Sequence, residues 1–106
     1  MPPDDKTDPG GVEVRTERQS AHGWVFEVRV AARRGRADLG VTVEVALSWV
    51  DYEYWSHGAA SPSRVAEAVV RAVLTADPER ELPARFDAST ARRWVAGLDR
   101  RVREAL

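Results

Sequence analysis

The sequence predicts an α+β domain: a three-stranded antiparallel β-meander followed by three to four helices packed on one of its faces. Three observations carry this. Trp24, Phe26, Val28, Val30 and Ala32 occupy every other position, as do Leu39, Val41, Val43, Val45 and Leu47. A period of two puts all ten side chains on one side of a sheet. The segments joining the strands are only a few residues long, and a parallel crossover needs a dozen or more, so neighbouring strands run antiparallel. After Leu47 the apolar period changes to that of a helix, which supplies cover for the greasy face.

The elements follow in order. Residues 1–10 hold Pro2, Pro3, Pro9 and Gly10 among four charges and have nothing to bury, which reads as a disordered tail ahead of a single domain over 11–106. A first strand spans about 11–18, with Val12 and Val14 facing one way and Glu13, Arg15 and Glu17 the other. It is the least apolar strand and is placed at an edge. Ser20-Ala21-His22-Gly23 is a turn, with Gly23 free to adopt positive φ. The second strand covers about 24–32, Arg33-Arg34-Gly35-Arg36 is a polar loop, and the third strand covers about 39–47. Glu27, Arg29, Thr42 and Glu44 fall on the opposite face, a mixed-charge set suited to solvent.

Residues 48–55 fit a short helix with Ser48 as N-cap, ending at His57-Gly58, where Gly58 is placed as the left-handed cap. Ser61 caps the next helix and Pro62 takes its first position, where a missing N–H does no harm. Val65, Val69 and Val73 with Ala66, Val70 and Leu74 form its apolar stripe. Glu67 and Arg71 are spaced for an ion pair on its wet side, and Asp77-Pro78 stops it. Leu82-Pro83-Ala84-Arg85-Phe86 reads as a linker with apolar anchors. Asp87 or Ser89 caps a short helix through Trp94 and Val95, Gly97 interrupts, and Leu98, Val102 and Leu106 mark a last amphipathic helix. The predicted core is Trp24, Phe26, Val28, Val30, Val41, Val43, Val45, Leu47, Val65, Val69, Val73, Leu74, Phe86, Trp94, Leu98 and Val102.

Composition bounds the function. The chain has 106 residues, 43% hydrophobic and 31% charged, with a net charge of -1. That is a soluble globular mix with one core. Without cysteine, disulfides, thiolate metal sites and cysteine nucleophiles are excluded. No apolar run approaches the roughly 20 residues of a membrane span, and the N-terminus lacks the layout of a signal peptide. A cytoplasmic location is the expectation, with no cofactor. Lys6 is the only lysine, a bias toward Arg that a high-GC bacterial genome produces.

The densest candidate segment is 49–57. Trp49, Tyr52, Tyr54 and Trp55 supply half of the aromatic residues, and aromatics with polar tips favour recognition surfaces. Tyr52 and Trp55 share a helix face and Tyr54 does not, so the four rings are not all core. Asp51 and His57 complete the candidate binding set. Asp51, Glu53 and His57 do not reproduce the spacing of a helical metal site, and the other histidine, His22, lies in a distant turn, so neither a metal nor a catalytic residue is assigned. Arg92, Arg93, Arg100, Arg101 and Arg103 make a basic patch, offset by Asp87, Asp99 and Glu104, that is available to phosphate or to an acidic partner.

From about Val41 to Arg103 the order of features resembles a family of small prokaryotic α+β proteins of unknown function. The shared features are a strand, an acidic-tyrosine turn (Asp51-Tyr52), a Gly before a Ser-Pro helix start (Gly58, Ser61-Pro62), a closing proline (Pro78) and a Phe-Asp segment (Phe86-Asp87). That family has a Tyr-Phe-Pro near its end where this chain has Arg93-Trp94-Val95. The resemblance implies an element order and no activity. A strand, a short helix and Ser61-Pro62-Ser63-Arg64 are also similar to ribbon-helix-helix repressors, which insert paired strands into the DNA major groove. Such proteins have one strand where three are predicted here, and Glu44 would face the phosphates.

The function expected from sequence is a small non-catalytic binding domain with an unidentified protein partner at 49–57. Nucleic-acid binding through the arginines is the alternative, and an enzyme the third. An unpaired edge at the first strand, or at the third if it lies outermost, leaves homodimer formation open.

Overall fold

The computed structural model describes residues 11–31 and 40–106. The tail, the 33–36 loop, Ala32 and Leu39 lie outside them. The described chain forms β1 (Val12–Ser20), β2 (Gly23–Val30), β3 (Val41–Ser48), α1 (Trp49–Ser56), α2 (Pro62–Ala76), β4 (Arg85–Asp87), a 3-10 helix (Ala88–Arg93) and α3 (Leu98–Ala105). The sheet order is β1-β2-β3-β4. The first three strands are the antiparallel meander, with Phe26 opposite Val45 and Val28 opposite Val43.

The fourth strand corrects the linker reading. Arg85–Asp87 pairs parallel to β3, with Phe86 beside Val45, and Glu44 N–H donates to Ala84 O at 2.8 Å. The parallel direction is permitted by the connection, because α1 and α2 lie between the two strands and form a long crossover. Three residues are too few to show a period of two.

β1 also departs from simple alternation. Val14 faces Val28 but Thr16 faces Glu27, so Arg15 is left over as a bulge. Beyond it Glu17 lies opposite Phe26 and Gln19 opposite Trp24, on the face of Val12 rather than the face of Glu13. Both are exposed.

Gly23 is required by proximity. A Cβ there would collide with the Leu47 carbonyl oxygen and press on Ser48 Cα at 2.8 Å. The hairpin can approach β3 this closely only without a side chain.

The helices roof one face. Ser61 accepts from Arg64 N–H at 3.2 Å with Pro62 at the first position of α2, and all six predicted stripe residues are buried, joined by Ala68 and Ala72. Arg71 pairs with Glu67 at 2.8 Å and reaches Val12 O at 3.2 Å, which ties α2 to β1. The other sheet face carries Glu27, Arg29, Thr42 and Glu44 in register, as expected.

Three core assignments need correction. Val41 is 53% exposed, since α2 crosses over β1 at that end of the sheet and leaves the start of β3 uncovered. Trp24 and Trp94 are half-buried against the core, not within it. In exchange the core takes Val12, Trp55, Ala88, Ala91 and Val95.

Candidate interaction surface

α1 starts where β3 ends. Ser48 Oγ accepts from Asp51 N–H at 3.0 Å, and Trp49 N–H donates to His22 O at 2.9 Å, so the β1–β2 hairpin fixes the start of the helix. At its end, the left-handed cap falls on His57 (φ 51°), whose N–H bonds Glu53 O; Gly58 (φ 79°) follows in the same region. The predicted glycine cap is therefore the second of two left-handed residues.

The inner face of α1 is held by a charged node. Trp55 is 2% exposed, and its indole N–H donates to Asp99 Oδ1 at 2.7 Å. Arg92 donates from Nε to Asp99 Oδ1 at 2.8 Å and from a terminal nitrogen to Asp51 Oδ1 at 3.1 Å. Its guanidinium lies 4.7 Å from the Trp55 ring centroid. Arg92 on the 3-10 helix thus joins Asp51 on α1 to Asp99 on α3.

The electrostatics agree with this geometry. Burial pushes the Asp99 carboxyl upward, but hydrogen bonds from Arg92 and Trp55 and the charges of Arg92 and Arg103 outweigh it and hold the group below the usual aspartate range. For Arg92, burial works against the cation, and its bonds to Asp99 and Asp51 more than offset this, raising its pKa.

Tyr52 is half-buried. Its hydroxyl donates to Ala60 O and its ring meets Trp24 edge-on, with centroids 5.3 Å apart. Trp24 also meets Trp49 edge-on at 6.4 Å. Asp51, Tyr52 and Trp55 therefore belong to the folded frame.

The outward face is different. Trp49 is 52%, Val50 77% and Tyr54 45% exposed. Glu53 and His57 share that face and are exposed as well. Arg103 lies over the Tyr54 ring at 4.4 Å and donates to Tyr54 O at 3.4 Å, a cation at the C-terminal carbonyls of α1. Arg92 approaches the same ring at 5.7 Å.

The predicted basic patch is dispersed. Arg92 is held between two carboxylates, Arg100 pairs with Glu104 at 3.2 Å, and Arg103 stacks on Tyr54. Arg93 and Arg101 face solvent. Sequence reasoning missed Val50 and Asp99. Helical spacing could have found Val50, four residues before Tyr54; the role of Asp99 left no local signal. Among the described residues no group of three or more His, Asp or Glu could hold a metal ion, and no helix is long and apolar enough to cross a membrane.

No known protein family matches the chain, and no curated protein or solved structure matches it significantly.

Proposed function

We propose that the chain is a small non-catalytic interaction domain that receives a protein partner on the outward face of α1. The observation that carries this reading is the division of one eight-residue helix. Asp51 and Trp55 are buried and clamped through Arg92 and Asp99, while Trp49, Val50 and Tyr54 stand in solvent on the other side. Large apolar side chains clustered on a rigid support, with Trp, Tyr and Arg among them, have the composition of interface hot spots.

The nucleic-acid reading has less support. Only Arg93 and Arg101 of the five arginines lack an ion pair or ring contact among the described residues. A ribbon-helix-helix arrangement also needs a strand with a free edge, and β3 is paired on both sides. The likeness to small prokaryotic proteins of unknown function rests on element order and brings no activity with it.

The test is a Trp49→Ala/Val50→Glu variant used as bait beside the wild-type chain. The variant keeps its circular dichroism and thermal midpoint and loses the proteins that wild type retains from host extract. An unchanged set of retained proteins overturns the reading, and retention that disappears with nuclease treatment favours the nucleic-acid alternative.

A further inference from the structure

We infer that the α1 surface selects an acidic amphipathic segment of another protein, with Arg103 receiving its carboxylate. This rests on the α1 surface being a docking site and adds the chemistry of what docks. The first argument is charge. Asp51 and Asp99 are both engaged by Arg92, and Glu104 by Arg100. Arg103 forms no salt bridge among the described residues; it contacts the Tyr54 ring and the Tyr54 carbonyl, and its charge acts on Asp99 from farther away. Stacking on a ring holds a guanidinium in place and leaves much of its donor fork available, the arrangement that suits a carboxylate.

The second argument is polarity across the face. Glu53 is the one carboxylate on the outward side of α1 and stands about 100° around the helix from Tyr54. Around the helix Glu53 stands between Trp49 and Val50, and Tyr54 with Arg103 lies beyond Val50, so the face is acidic on one side of Val50 and cationic on the other. A partner whose apolar row meets Val50 places its carboxylates on the Tyr54 and Arg103 side, away from Glu53.

The third argument is size. An aromatic side chain offers about 150–250 Å², so two half-exposed rings and Val50 present roughly 300 Å². A stable dimer needs about 800 Å² from each partner. The patch suits one short segment of a partner better than a second copy of the chain.

The experiment titrates isotopically labelled protein with three synthetic amphipathic helical peptides that share one leucine row and carry Glu, Gln or Lys on its flank. At low salt the Glu peptide binds roughly fivefold more tightly than the Lys peptide, with amide and indole shifts at Trp49, Val50 and Tyr54, and high salt narrows the gap. Arg103→Gln removes the preference and leaves the Gln peptide unaffected. Arg101→Gln, on the far side of α3, preserves it. Equal binding of the three peptides at α1, or equal effects of the two arginine variants, overturns the acidic-partner inference alone. No perturbation of α1 by any peptide overturns the docking surface itself.

Discussion

The indole N–H of Trp55 donates to Asp99 Oδ1 at 2.7 Å across 44 residues of sequence. Arg92 donates to the same oxygen at 2.8 Å. One carboxylate oxygen thus serves an aromatic on α1 and a cation on the 3-10 helix, and the outward face of α1 is only as rigid as this junction.

Replacing Arg92 with Ala strands Asp51, which is 9% exposed, without its cation. The expected loss is about 2–3 kcal/mol, because the penalty is that of an unpaired, poorly hydrated carboxylate. Arg92→Lys recovers only part, since one ammonium cannot reproduce a fork that spans Asp51 and Asp99. Chemical denaturation followed by tryptophan fluorescence measures both.

Acid weakens the fold through Asp99. Its folded pKa lies below the unfolded value near 3.8, so the folded state holds the proton less readily. The resulting stability is present above that value and is lost as pH falls through the lower, folded one. Asp99→Asn, which keeps an acceptor oxygen for Trp55, flattens this acid limb of the stability profile and lowers stability at neutral pH. Denaturant midpoints at neutral and strongly acidic pH provide the check.

Trp55 and Tyr54 are neighbours with opposite fates. Trp55→Ala costs about 3–5 kcal/mol, the range for emptying a buried aromatic site. Tyr54→Ala costs about 1 kcal/mol or less, the worth of partly exposed ring–cation contacts. Comparable losses for the two would show that the division of α1 into a buried and an open side is mistaken.

Two backbone positions carry substitutions of opposite sign. Gly23→Ala drives a methyl group into the Leu47 carbonyl and forces the hairpin from β3, so the expected outcome is a loss above about 2 kcal/mol. His57→Gly relieves a left-handed residue with a side chain and stabilises by about 0.5 kcal/mol after the extra unfolded-state freedom is counted. Thermal melts rank both against wild type.

Much of the frame was legible because its signals are local. The alternation of Phe26 and Val28 with Glu27 and Arg29, the Ser61-Pro62 start and the Glu67–Arg71 pair all depend on residues a few places apart. The slip at Arg15 was hidden because Glu17 and Thr16 are both polar, so either register looks acceptable. β4 was hidden because Phe86 alone carries its apolar signal. For the site, helical spacing separated Trp55 from Tyr54, but it could not say that Arg92 would leave the basic patch to bridge Asp51 and Asp99. That decision is made by tertiary distances, and it turned one member of an apparent cationic surface into an internal tie.

β4 has a consequence for how incomplete chains behave. Until Arg85–Asp87 arrives, β3 offers a run of bare peptide groups beside Val43, Val45 and Leu47, the kind of template on which identical molecules aggregate. Three residues suffice as a stopper because they close the middle of that run, with Phe86 lodged next to Val45 and Arg85 set against Glu44 at 3.6 Å. A chain broken before Ala84 would lose this cover together with the core side chains of Phe86, Ala88, Ala91, Leu98 and Val102.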